Sequence, residues 1–122
     1  MSSTLVWVEL ALGAGFGAVL RFLLDGAVSR AVTSSLPVGT LTVNLAGSLA
    51  LGVIDGAALS HDVAFVVGTG MVGAFTTFST WMFETQRLGE ERQVARAAQN
   101  LYLSVVLGVV LGWLGLWIGG RL

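Results

Sequence analysis

The stretch Gly68-Thr-Gly-Met-Val-Gly-Ala-Phe-Thr-Thr-Phe-Ser-Thr-Trp-Met-Phe-Glu84 decides how this chain is read. It lies within a hydrophobic run long enough to cross a bilayer. Its first half holds three glycines, Gly68, Gly70 and Gly73. Its second half places four hydroxyls in five positions, at Thr76, Thr77, Ser79 and Thr80. Lipid offers such side chains no hydrogen-bond partner, so this segment must face protein or a watery path. The glycines predict a helix interrupted near its middle. An interruption frees carbonyl and N–H groups that then need hydroxyls, water, another chain or an ion. Crossed breaks from two subunits would present carbonyl oxygens to a bound cation.

Outward from this stretch, composition sets the class. Of 122 residues 55% are hydrophobic and 11% charged, against about 25% charged in ordinary soluble domains. Mean hydropathy is +0.86. The chain has no lysine, and its net charge of −1 argues against a nucleic-acid partner. Without cysteine there is no disulfide, iron–sulfur cluster or thiolate zinc site, and one histidine, His61, builds no metal site alone. The amino terminus lacks the basic region of a signal peptide.

A span takes about 20 apolar residues, and four fit: 5–24, 37–59, 63–83 and 101–118. The expected fold is therefore an all-α membrane protein, a single domain of four transmembrane helices with the third broken at its centre. Gly13, Gly15 and Gly17 look like a nucleotide-binding loop but lack the preceding strand that motif needs. Gly13-x-x-x-Gly17 reads instead as a helix-packing face. Residues 25–36 read as a connection, with Pro37 in the first turn of the second span. Thr40, Asn44, Ser48 and Gly52 recur every fourth residue and form one stripe. Asn44 is either glue between helices or an amide lining a pore. Residues 60–62 read as a tight turn that makes the second and third spans antiparallel neighbours. Residues 85–98 read as a solvated loop with a helical turn or two. Asn100, Ser104, Gly108 and Gly112 repeat the four-residue stripe in the last span.

The polar inventory is mostly neutral and contains no catalytic constellation, because no histidine lies near the hydroxyls to act as a base. An enzyme is not expected. Neutral donors suit a small, strongly hydrated ion that must bind weakly enough to leave. Phe78 and Trp81 are three residues apart and share a helix face. Their ring edges carry partial positive charge that suits an anion, or they are packing residues.

Three segments together resemble the Fluc/CrcB fluoride channels: Gly-Ala-Val-Leu-Arg-Phe (17–22), Gly-Thr-Leu-Thr-Val-Asn-Leu-Ala-Gly-Ser (39–48) and Gly-Ala-Phe-Thr-Thr-Phe-Ser-Thr-Trp-Met-Phe-Glu (73–84). The resemblance implies a prokaryotic plasma-membrane protein that exports fluoride passively and confers fluoride resistance. It implies an antiparallel, dual-topology dimer with two pores. The fluoride pore would use Asn44, Phe78, Trp81, Ser79, Thr80 and Ser104, with Arg21 and Glu84 near the vestibules. A structural sodium ion at the dimer interface would be held by the backbone carbonyls of Gly73 and Thr76.

Two departures qualify that reading. Trp81 stands where the family usually has phenylalanine, and Asn100 where tyrosine is common. Arginine is also unevenly placed: Arg21, Arg30, Arg87, Arg92 and Arg96 flank one side, Arg121 the other. By the positive-inside rule both termini face outward. The expected partner is a second copy of the chain in an antiparallel homodimer; the bias adds the hypothesis of a subunit inserted mainly one way and paired with an oppositely oriented paralogue. The alternatives from other classes are a small dual-topology drug/proton exporter, with Glu9 as its carboxylate, and an inactive subunit of a heterodimeric channel.

Overall fold

The structure is a computed structural model and describes residues 2–122. Among these, four helical elements are long and apolar enough to cross a membrane. α1 (Ser3–Ala31) starts where the Ser2 hydroxyl accepts the Leu5 N–H at 3.3 Å. α2 spans Val38–Gly56. The third crossing is composite: α3 (His61–Ala64), a π-helical segment (Phe65–Val72), one turn α4 (Gly73–Phe75), and α5 (Ser79–Glu90). α6 (Val94–Gly119) closes the bundle.

The expected break is present, and it has two parts. Over Phe65–Val72 the hydrogen bonds skip to i−5, so the Gly73 N–H reaches the Gly68 carbonyl. Gly68 and Gly70 make this widened turn cheap, because glycine has no Cβ to crowd it. The chain then leaves the helix at Thr76, where φ −81° and ψ 162° are extended.

Element ends differ from expectation in four places. α1 continues through 25–31, past the expected connection, since the segment has no proline and its one glycine, Gly26, is tolerated inside a long helix. This places Arg21 well inside α1. Pro37 is the residue before α2 rather than in its first turn, although its carbonyl accepts the Leu41 N–H at 3.0 Å. The α2–α3 turn falls before Ser60, with Ala58 at φ 52°, while Ser60 caps α3 through its hydroxyl. Residues 85–98 are not a solvated loop. α5 runs to Glu90, a brief turn with Arg92 at φ 61° follows, and α6 starts at Val94. Polar residues on the exposed face of a helix resemble a loop when only composition is read.

Glycines decide the pairing. α2 packs most extensively on α6, and the π segment on α1. A methyl group at Gly52 would collide with the Gly112 carbonyl, at Gly56 with that of Leu116, at Gly115 with that of Leu49, and at Gly119 with that of Val53. On the other side of the bundle, a methyl at Gly17 would meet the Met71 carbonyl, and one at Gly70 would lie 2.7 Å from Leu10 Cδ1. Gly13 and Gly17 are thus a packing face, as their spacing predicts. Backbones approach through small residues because lipid supplies no hydrophobic drive between helices. The second and third crossings touch less than their short turn suggests, because the glycine faces pair α2 with α6 instead.

The interior is correspondingly thin. Among the described residues the buried large apolar side chains are Val6, Val43, Val72 and Leu88, while Phe22, Leu12, Trp113 and Val109 face outward. This is the reverse of a water-soluble fold, and it fits a chain whose outer surface meets acyl chains.

Candidate functional site

Asn44 reaches from α2 to the break and holds it from both sides. Its Nδ2 donates to the Thr77 carbonyl at 2.9 Å, and the Thr77 N–H donates to its Oδ1 at 2.8 Å. A primary amide has one donor and one acceptor pointing the same way, so it replaces the backbone partner that Thr77 loses on leaving the helix. The helical acceptor for the Thr77 N–H would be the Gly73 carbonyl, four residues back. Asn44 diverts that N–H, and no other backbone N–H outside the helices takes its place. On either side, the Thr76 hydroxyl donates to the Val72 carbonyl at 3.2 Å, and the Thr77 hydroxyl accepts the Thr80 N–H at 3.2 Å. The first back-bonds to a carbonyl that already accepts the Thr76 N–H, and the second satisfies one amide in the first turn of α5. Between these, the Phe78 and Ser79 N–H groups have no backbone acceptor among the described residues.

The four-residue stripe on α2 contacts three different partners. The Thr40 hydroxyl donates to Glu84 Oε1 at 2.5 Å. Asn44 meets the break, and a methyl at Gly108 of α6 would sit 3.5 Å from Ser48 Oγ. The stripe therefore ties α2 to α5, the break and α6 in turn.

A groove of about 610 Å³ opens beside the break. Asn44, Ser48, Thr77, Phe78, Trp81 and Ser104 border it, as do Gly73, Thr76, Thr69 and Asp55. Phe78 is 69% exposed. Its ring meets Trp81 nearly edge-on, at 5.8 Å between centroids and 78° between planes. Of the residues expected at a pore, the groove brings together Asn44, Phe78, Trp81 and Ser104. Ser79 and Thr80 do not border it: they lie in the first turn of α5, with Ser79 exposed and Thr80 half-buried. Arg21 is half-buried on α1, away from the groove, and its Nε has no partner. Glu84 is engaged with Thr40. Gly73 is exposed, so its backbone is accessible from outside the subunit. Among the described residues no cluster of three or more His, Cys, Asp or Glu is placed to hold a metal.

Two contacts escaped the sequence reading. Asn100 is 1% exposed, and its Nδ2 donates to the Thr85 hydroxyl at 2.8 Å. That hydroxyl donates in turn to the Trp81 carbonyl at 2.8 Å. Thr85 lies one turn beyond Trp81, a spacing visible in sequence, but Asn100 is on another helix and nothing local links the two. Thr40 and Glu84 are likewise 44 residues apart.

The fold and groove define a multi-pass membrane protein whose third crossing is unwound beside a largely apolar groove with a few polar groups, neutral apart from Asp55. The chain belongs to the CrcB family: residues 8–116 match the family model described as CrcB-like protein, Camphor Resistance (CrcB). It is 54% identical over 115 residues to a Mycolicibacterium paratuberculosis protein named fluoride-specific ion channel FluC 2, covering 94% of both chains. A protein of that name from Mycobacterium tuberculosis H37Rv is 53% identical over 93% of this chain and 90% of its own. Fluoride-specific ion channel FluC 1 of Leifsonia xyli is 38% identical, over 95% of this chain and 88% of its own.

Proposed function

We propose that the protein is a fluoride-selective channel for passive fluoride export. It works as an antiparallel, dual-topology pair of subunits with two pores, in a prokaryotic plasma membrane. The observation that carries this reading is the unwound backbone at Thr76–Phe78, clamped by Asn44 and open to a largely apolar groove whose polar lining is neutral apart from Asp55. The names of relatives more than 50% identical over nearly the whole chain support the choice of ion.

Fluoride sheds a tightly held water shell only where donors replace it. A lysine or arginine in the groove would trap the ion; amide and hydroxyl donors let it leave. Asn44 Nδ2 uses one hydrogen on the Thr77 carbonyl and keeps a second. The free N–H groups of Phe78 and Ser79 sit at the amino end of α5, where the helix dipole favours negative charge. The Phe78 ring edge adds a weakly positive, dry wall. Ser79 and Thr80 extend the path along a face that a partner subunit covers. Arg21 and Glu84 stand near its vestibules.

The break also fits a structural sodium ion. The Gly73 carbonyl has lost its helical donor to Asn44, and the Thr76 carbonyl follows an extended ψ. Unwound carbonyl oxygens are what a hard monovalent cation takes. One chain supplies two, and an antiparallel copy would supply two more; the ion would tie the breaks together. Since Arg21 lies inside α1, the arginine bias becomes four to one, and a one-way subunit paired with an oppositely inserted paralogue is the alternative to the dual-topology homodimer. Labelling a terminal tag from each side of the membrane tests this: equal amounts in both orientations sink the paralogue and keep the homodimer.

The exporter reading requires a titratable carboxylate in the transport site. Glu9 does not border the groove, and Asp55, the one carboxylate that does, is exposed near the end of α2. Purified protein in liposomes decides the matter by ion-electrode efflux. Fluoride efflux without chloride efflux is the expected result. Proton-coupled cation export without fluoride flux establishes the exporter, and silence establishes the inactive subunit.

A further inference from the structure

Among the described residues, the groove is bordered by one charged side chain, Asp55, in the last turn of α2. A second cleft of about 420 Å³ lies between α2 and α6, bordered by Ser48, Gly52, Gly112 and Leu116, and again by Asp55. Asp55 thus stands where both clefts reach the end of the bundle that carries the α2–α3 turn and the end of α6. It is exposed, and no ion pair engages it among the described residues. The other charged side chains near that end border neither cleft. His61 and Asp62 lie 3.7 Å apart beside Trp7 and Phe65, Arg121 sits 4.2 Å over the Trp117 ring, and Glu9 is on α1.

A lone negative charge is the wrong sign for drawing anions into a path. A carboxylate acts on a passing ion through space and needs no contact with it. In water at low salt, a charge about 10 Å away changes the local concentration of a monovalent anion about twofold, and low-dielectric cleft walls raise the effect. Asn44 and Asp55 are three turns apart on α2, about 16 Å at 1.5 Å per residue. The charge therefore stands clear of the clamp at the break and meets ions as they enter or leave. At the centre it would block an anion; at the mouth it thins the supply.

We propose that Asp55 is a rate-setting residue: its uncompensated charge at the groove mouth depletes anions there and slows their entry. The proposal rests on the channel reading and deepens it. In an antiparallel pair one such charge stands at each membrane face, so entry is slowed from both sides and the effect does not depend on which way the protein inserts. Mobile cations gather at the same place, and at high salt they screen the charge. The competing account is that an arginine of the second copy neutralises Asp55, and it predicts no gain in rate when the charge is removed.

The test measures fluoride efflux from liposomes holding full-length protein, at fluoride well below saturation. Asp55→Asn should speed efflux about 2- to 5-fold at an ionic strength of roughly 10 mM, and Asp55→Glu should return the slow rate. The gain should vanish at about 1 M sodium gluconate, where the Debye length falls from about 30 Å to about 3 Å. Unchanged or slower efflux in Asp55→Asn overturns the proposal, and so does a gain that survives high salt, which marks a steric effect. A second measurement reads the charge without any flux. The chain has no cysteine, so Leu51→Cys, one turn before Asp55 at a half-exposed position bordering both clefts, gives a single thiol. Its reaction rates with an anionic and a cationic thiosulfonate are compared in nanodiscs. Adding Asp55→Asn should raise the anionic-to-cationic ratio about tenfold at low salt, since a charge about 6 Å away acts oppositely on the two reagents. An unchanged ratio, or a thiol that neither reagent reaches, overturns the proposal. A shifted ratio in protein that conducts nothing keeps the negative mouth and removes the channel reading instead.

Discussion

Replacing Asn44 with alanine tests the central claim that one side chain holds the break. The substitution removes two hydrogen bonds, of 2.9 and 2.8 Å, and leaves the N–H and carbonyl of Thr77 without partners. Each bond is worth about 1 kcal/mol net, and each abandoned buried group costs about 1–3 kcal/mol. Two fully buried groups would lose about 2–6 kcal/mol. Thr77 is only half-buried beside an open groove, so water replaces part of the loss. The expected destabilisation is about 2–4 kcal/mol. The freed Thr77 N–H can then return to the Gly73 carbonyl, so the helix should partly re-form across the break. Two measurements check this: unfolding in a denaturing-detergent titration, and hydrogen exchange at the Thr77 amide. Fluoride efflux should fall as well. Asn44→Asp separates the two bonds, because it keeps the acceptor for the Thr77 N–H but sets an oxygen against the Thr77 carbonyl. It should be at least as damaging to fluoride flux, since any charge it carries faces the anion path. An Asn44→Ala protein with unchanged stability, unchanged Thr77 exchange and normal flux would refute the reasoning.

Three further predictions follow from packing and polar contacts. Gly115→Ala should weaken the α2–α6 pair by about 1–3 kcal/mol, since the new methyl strikes the Leu49 carbonyl, while Gly15→Ala, with open space around it, should change unfolding hardly at all; equal effects would remove the packing argument. Thr40→Val keeps the shape but removes the hydroxyl that donates to Glu84, and a loss of about 1–2 kcal/mol is expected in the same titration, at the low end for carboxylate partners because the pair is only part-buried. Phe78→Ile should abolish fluoride efflux and leave the subunit assembly intact by crosslinking, whereas unchanged efflux would place Phe78 outside the path.

How far the candidate site was legible depended on whether its residues are near each other in sequence. The stripe Thr40, Asn44, Ser48 repeats every turn, and the Phe78–Trp81 pair is three apart, so helix geometry alone put each set on one face. The break announced itself through Gly68, Gly70, Gly73 and the hydroxyls after them. What those groups touch was not legible. Asn44 was open between glue and pore amide. The structure makes it both a clamp on Thr77 and a wall of the groove, because its amide spans the gap left by the missing helical bond. Ser79 and Thr80, adjacent to Phe78 in sequence, fall outside the groove because successive residues on a helix point about 100° apart. Residues 85–98 misled the reading because charge marks exposure to water and does not distinguish a loop from the end of a helix.

The sequence by itself determined the class: four apolar runs, too few charges for a soluble core, and one run that no lipid-facing helix would carry. It also determined the family, through motifs that are local strings. Only the tertiary structure decided that α2 and α6 are partners, through glycines facing carbonyls on the opposite helix. It alone joined Thr40 to Glu84 and Asn100 to Thr85, and brought Trp81 and Ser104 to one groove with their polar atoms unpaired. The physical reason is range. Helix propensity and hydropathy act over a few turns and are written along the chain. A hydrogen bond between helices depends on where two backbones come to rest, and in this protein that is set by which glycine faces meet.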